Sequence, residues 1–380
     1  MNLTVVLAVL AQVHPVAEID ATIRDGIREG VYPGAVIVVG TGDSVLFERG
    51  YGHLTWSAET AVPSPNRTLY DLASLTKVVA TTPAAMLLVD RGSLDLDAPV
   101  QDLLPEFSGD GKETVTVRDL LGHTSGLRAF LPLHTLTETL EEARARVMSE
   151  PLRWPRGSRV QYSDLNAMLL GWAVEAAAGE PLDEFVRSNL FEQLGMMETR
   201  FNLPPSLRPR AAPINVWRGH VIQGVIHDQN AARLNGVAGH AGLYSTGSDL
   251  ARYAQWYLTK GVTGSGLALV RPATMDLFTA DGRGGRALGW EIRDTTSTDN
   301  SGALLSPEAF GHGGFTGTSI WIDPTTDLFV VLLTNRVYAP RAARSIARLK
   351  ATRGKLADAA VRLKEHSCRL LAGIGRSGSC

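Results

Sequence analysis

The chain has 380 residues, 44% hydrophobic and 20% charged, with a formal net charge of -2. That composition belongs to an ordinary globular protein with room for one large domain or two intertwined subdomains, and it excludes fibrous, low-complexity and solenoid classes. With a pI near 6.5, no global positive field gathers nucleic acid or anionic lipid. The only cysteines, Cys368 and Cys380, are too few and too terminal for a disulfide framework or a zinc site.

Residues 1–12 are apolar and end small, as an export signal does, but the run is short and lacks a basic start. It is read as a signal remnant ahead of a single domain over 13–372, with 373–380 a disordered tail, which implies a periplasmic or secreted protein. The alternative is a cytoplasmic protein with a disordered start. No other run approaches the roughly 18 apolar residues of a membrane span.

After Pro15, Val16, Ile19, Ile23 and Ile27 recur at helical spacing until Gly30 and Pro33 end the segment. Two β-rich runs follow, 35–39 and 45–48, separated by a Gly-rich turn and read as a hairpin. From Ser74 the pattern turns helical and closes at Arg91-Gly92. Further helices fit 116–121, 165–178 and 249–258. Strand signals return at 288–292, 319–322 and 328–333, before a long Arg-, Ala- and Leu-rich helix over about 341–371. Strands from both ends around a helical middle predict an α+β fold. The α/β part takes in about 13–73 and 260–372, and an inserted helical part about 74–259, with a catalytic cleft at their seam. The last helix offers an Arg-rich face, either solvated or docking on anionic membrane.

Ser74-Leu75-Thr76-Lys77 puts a hydroxyl and an amine three residues apart on one helix face. A partly desolvated Lys is neutral enough to take a serine proton, which Arg never is. Only six of the 37 basic residues are Lys, so this one is less a matter of chance. The other reading is a helix cap beside a solvated Lys. Tyr162-Ser163-Asp164 precedes a helix and carries three polar groups, although Tyr162 also suits a core and Asp164 an N-cap. Gly311-His312-Gly313-Gly314-Phe315-Thr316-Gly317 allows close backbone approach to a ligand, as an oxyanion hole needs, or is a plain Gly-rich turn. His227, Asp228 and His240 invite a metal reading, but not at helical i, i+4 spacing; they equally suit a cleft rim or loop hydrogen bonds.

Together the three segments resemble the serine β-lactamases and penicillin-binding proteins, in particular the class C β-lactamase-like branch with D,D-peptidase and esterase relatives. The ordered signature there is S-x-x-K, then Y-x-N, then K-T-G or H-T-G on an edge strand. The stretches 70–74, 120–127 and 239–246 also look like that family, and the resemblance spans about 34–335. It implies an antiparallel sheet flanked by N- and C-terminal helices, with an inserted helical subdomain. It also implies that Ser74 is acylated, that Lys77 and Tyr162 shuttle its proton, and that N–H groups of Ser74 and Phe315 hold the oxyanion. His312 would replace the third-motif Lys, while Asp164, Gly313, Gly314 and Phe315 would meet substrate. A carboxylate at 164 only accepts where the usual amide also donates, and an imidazole attracts a substrate carboxylate less firmly than an ammonium does. The implied activity is hydrolysis of an ester, a D-amino-acid peptide or a β-lactam-like amide, with no metal or cofactor. Its partner would be a small-molecule or peptide substrate. The competing reading is a catalytically silent cell-wall peptide-binding protein of the same fold.

Overall fold

The computed structural model describes residues 15–280, 282–338 and 346–373. The expected signal remnant, almost all of the expected tail and the start of the last helix lie outside the described residues. Helix α1, Pro15–Arg28, buries Ile19 and Ile23 and ends where Gly30 turns left-handed at φ 73°, as the apolar spacing predicts. The strands are β1 (Gly34–Gly40), β2 (Val45–Gly52), β3 (Tyr70–Asp71), β4 (Arg200–Phe201), β5 (Asn215–Trp217), β6 (His220–Ile222), β7 (Leu243–Ser245), β8 (Glu291–Ile292), β9 (Phe310–Gly313), β10 (Ser319–Asp323) and β11 (Leu328–Thr334).

Six of them form one sheet in the order β2-β1-β11-β10-β9-β8, antiparallel at every pairing. Strand β1 sits inside it and is buried throughout. Alternation then divides its side chains. Val36 and Val38, with Val331 and Leu333 of β11, join the core that the helical region covers. Ala35, Ile37 and Val39, with Val330 and Leu332, face α1 and the C-terminal helix. That last helix, Ile346–Gly373, buries Leu349, Leu356, Ala360 and Leu363 there. It lies on the sheet, and not every arginine on it is solvated: Arg353 is only 7% exposed.

The helical region holds α2 (Thr82–Asp90), α3 (Asp164–Ala178) and α4 (Gly247–Leu258). Three expected boundaries shift for local reasons. The segment beginning at Ser74 passes through a π-helical turn at Lys77–Thr81 before α2. Helix α4 starts at Gly247 because the Thr246 hydroxyl caps the Asp249 N–H. The strand expected over 288–292 shrinks to Glu291–Ile292 because Gly289, at φ 86°, breaks the extended run. A small second sheet, β3-β7-β4, was not expected; two- and three-residue strands leave no periodicity to read. It pairs Asp71 with Tyr244, so it brings the chain entering Ser74 beside the segment around His240.

Candidate active site

Ser74 follows Ala73, whose φ of 46° is left-handed, a conformation that costs a non-glycine residue energy. The turn persists because the buried Asp71 carboxylate accepts the Ala73 N–H at 2.9 Å and the His227 N–H at 2.8 Å. Burial pushes the Asp71 carboxyl up to about 6 against those two donors. One turn on, Lys77 is 3% exposed. Its Nζ donates to Ser74 Oγ at 3.2 Å, to Asp164 Oδ1 at 2.7 Å and to the His240 carbonyl at 3.1 Å. Burial alone would push this amine down. The Asp164 carboxylate and the Tyr162 phenol outweigh it and hold Lys77 above the ordinary lysine value. The expectation of a lysine made neutral by desolvation is therefore corrected: Lys77 is an ammonium, because its partner is a carboxylate.

Asp164 was expected either to meet substrate or to cap α3. Ser163 takes the cap, its hydroxyl accepting the Asn166 N–H, and Asp164 is thereby left in the first turn, free to pair with Lys77. The Tyr162 ring centre lies 5.0 Å from Lys77 Nζ, and its buried hydroxyl has no hydrogen-bond partner among the described residues. Around that ring stand His123 at 4.9 Å, His312 at 5.7 Å and the Arg286 guanidinium at 4.9 Å. His312 Nδ1 lies 3.0 Å from the Gly313 carbonyl, which only accepts. Nδ1 thus carries the hydrogen, and the buried, unpartnered Nε2 presents a lone pair. Burial pushes His312 down to about 4, with Arg286 and Lys77 adding to it and Glu291 opposing. At neutral pH His312 is an uncharged acceptor, 2% exposed, and so does not replace a third-motif ammonium as a cation.

The third motif occupies β9 and the turn after it. Strand β9 is flanked by β10 and the short β8, so it is one strand in from the edge. Gly314 donates its N–H to the Thr318 carbonyl at 2.7 Å, and any Cβ there would overlap the Thr318 hydroxyl and the Leu72 carbonyl. Two buried arginines grip this turn from behind. Arg353 Nη2 donates to the carbonyls of Gly314 at 3.1 Å and Thr318 at 2.7 Å, and Arg336 Nε donates to the Phe315 carbonyl at 3.1 Å. With their carbonyls held inward, the N–H groups turn the other way. Neither the Ser74 nor the Phe315 N–H donates to another group among the described residues, the arrangement that an oxyanion requires.

Ser74, Tyr162, Asp164 and Phe315 border one cleft of about 660 Å³, together with His227, Asp228 and the apolar Phe130, Ile222 and Val225; the His227 and Phe315 rings stand 5.5 Å apart. Asp228 caps the helix Gln229–Arg233 and accepts from His240 Nε2 at 3.2 Å. No group of three or more His, Cys, Asp or Glu among the described residues is arranged to hold a metal.

The beta-lactamase family model matches residues 19–354. The chain belongs to the beta-lactamase family. It is 31% identical over 350 residues, 81% of this chain and 80% of the other, to a provisionally named D-alanyl-D-alanine carboxypeptidase of Escherichia coli (strain K12). It is 32% identical to an N-acetylmuramyl-L-alanine amidase of Bacillus subtilis (strain 168), covering 85% and 81%. In fold it is similar to a penicillin-binding protein homologue from Caulobacter crescentus, with TM-score 0.74, 24% identity and coverage of 92% and 97%. It is also similar to a class C beta-lactamase from Rhodobacter sphaeroides, with TM-score 0.70, 22% identity and coverage of 90% and 99%. Membership of this family makes the chain a serine hydrolase, and acyl-enzyme chemistry is characteristic of the superfamily. Among the described residues no helix is long and apolar enough to cross a membrane.

Sequence reasoning missed Asp71, His123, Arg286, Arg336 and Arg353. Asp71 and His123 lie inside stretches that resembled the family, and Asn335-Arg336 directly after an apolar strand was a further signal. Arg286 and Arg353 carried none, being two arginines among many.

Proposed function

We propose that Ser74 is the nucleophile of a hydrolase that acts through an acyl-Ser74 intermediate on esters, D-amino-acid peptides or β-lactam-like amides. The observation that carries this reading is the 3.2 Å hydrogen bond between the Lys77 ammonium and Ser74 Oγ at the floor of an open cleft. The attack adds Oγ to the substrate carbonyl carbon, and the carbonyl electron pair moves to oxygen, where the Ser74 and Phe315 N–H groups receive it. Lys77 and Tyr162 manage the protons, and the Tyr162 hydroxyl, which has no partner among the described residues, supplies one to the leaving group. Gly313 and Gly314 let the turn after β9 close on the Arg353 guanidinium, the Thr318 hydroxyl and the Leu72 carbonyl, and Phe315 carries that turn to the cleft where substrate would lie. The names of the two curated relatives support peptidoglycan-type amide bonds as substrates, one a D-alanyl-D-alanine peptide and the other a muramyl amide.

Hydrolysis of a small activated nitrophenyl ester by wild type and by Ser74→Ala tests the nucleophile without demanding the natural substrate. Turnover in wild type alone is the expected result; equal rates in both would refute the assignment. We also propose that the protein works outside the cytoplasm, a reading supported by the apolar opening of the sequence. Mass spectrometry of the native N-terminus is expected to find residues 1–11 removed, and their retention would count against export.

A further inference from the structure

We propose that Asp164 is the terminal acceptor of the Ser74 proton, so that the working base of this enzyme is the Lys77–Asp164 pair and not the lysine alone. The inference rests on the reading of Ser74 as nucleophile. An ammonium has three hydrogens, and those of Lys77 meet three acceptors: Ser74 Oγ, Asp164 Oδ1 and the His240 carbonyl. Nζ therefore has no lone pair to offer, and it can accept a proton from Oγ only as it releases another. Of its neighbours, Ser74 is the group to be deprotonated, and a backbone carbonyl is far too weak a base. Asp164 remains, and at 2.7 Å it makes the shortest of the three contacts. Its second oxygen, Oδ2, accepts no hydrogen bond from the described residues, and the side chain is 20% exposed at the cleft. The carboxylate is consequently not saturated.

The step balances. Nζ hands a proton to Asp164 Oδ1 and turns the freed lone pair to Oγ; as Oγ bonds to the carbonyl carbon, the Oγ proton passes to Nζ and the carbonyl electron pair becomes the oxyanion. Lysine is an ammonium before and after the step, and the negative charge moves from Asp164 into the oxyanion hole. The site thus begins and ends the step with the same net charge, which suits a buried location where creating new charge is costly. On collapse the carbon–leaving-group bond breaks. The leaving group takes the Tyr162 hydroxyl proton, Tyr162 recovers one from Nζ, and Asp164 returns its proton to Nζ. An asparagine at 164 would hold Lys77 by a hydrogen bond but could take no proton.

The test is the pH dependence of kcat/KM for a nitrophenyl ester with wild type, Asp164→Asn, Asp164→Glu and Ser74→Ala. Without the carboxylate, burial dominates Lys77 and pushes it down, so the variant amine becomes a free base only as pH rises. Asp164→Asn is expected to lose about 100-fold at pH 6, the scale of a general base. It should regain at least about tenfold relative to wild type by pH 9, and Asp164→Glu should restore activity at neutral pH. A profile parallel to wild type, a faster variant at pH 6, or an equal loss at every pH with unchanged thermal melting would each overturn the proposal. The last outcome would make Asp164 a substrate-positioning group. Wild-type rates in Ser74→Ala would instead sink the nucleophile assignment. An inert Ser74→Ala beside an unaltered Asp164→Asn profile would sink the Asp164 inference alone.

Discussion

The two walls that meet at Ser74 do their work with different parts of the chain. On the helical side the chemistry lies in side chains: Lys77 spends three hydrogens on Ser74, Asp164 and the His240 carbonyl, and the ion pair is short and directional. On the sheet side the chemistry lies in backbone N–H groups, and the side chains act from behind, with Arg353 and Arg336 gripping carbonyls so that the opposite edge of each peptide faces the cleft. The first wall depends on which residues are present, the second on whether a short turn keeps its shape. Substitutions should therefore fail differently on the two sides.

The sheet side offers the largest effect. Gly314→Ala must push the turn away from Thr318 and Leu72, and losing one aligned oxyanion donor costs on the order of 10²–10³ in kcat. Ester kinetics are expected to show that loss while Ser74 and Lys77 are intact; a drop below about threefold would mean that the N–H groups are not the oxyanion site.

Arg353→Met comes next. It removes a buried cation from two carbonyls, and unmaking charge-assisted hydrogen bonds in a buried place costs about 3 kcal/mol. Urea unfolding should register that loss together with a lowered kcat, because the turn loosens. Stability within about 0.5 kcal/mol of wild type would place the support of the turn elsewhere.

The last effect reaches its full size only across a span of pH. Folded His312 stays neutral down to about 4, whereas in the unfolded chain it takes a proton below roughly 6.5. Between those values the unfolded state binds more protons, so this residue's contribution falls as pH drops, by up to about 3 kcal/mol across the window. Asp71, raised to about 6 from 3.8, acts in the opposite sense over part of the same range. The difference between wild type and His312→Gln isolates the imidazole. The variant should lose less stability between pH 6.5 and 4; equal slopes would mean that His312 is not held neutral.

The same contrast explains what was legible in the sequence. Ser74 and Lys77 are three residues apart, and that spacing alone predicts their contact. Strands β1 and β11 are continuous apolar runs because both their faces are covered, so they too were readable. Phe310-Gly311-His312-Gly313 has two glycines that weaken its strand propensity; tertiary pairing to β10 and β8 makes it a strand, and only the resemblance to a known family placed it on one. The Lys77–Asp164 pair joins residues 87 apart, and nothing local said that Ser163 would take the cap and leave Asp164 free. The charge state of Lys77 was misread for that reason: desolvation is visible in apolar flanks, while a distant counter-ion is not.

The most direct test of the central claim is intact-protein and peptide mass spectrometry after brief exposure to a slowly deacylating ester or β-lactam. The account predicts one acyl group per chain, carried on the peptide containing Ser74 and absent from Ser74→Ala. Equal labelling of that variant, or an acyl group on another residue while Ser74 stays unmodified, would contradict it.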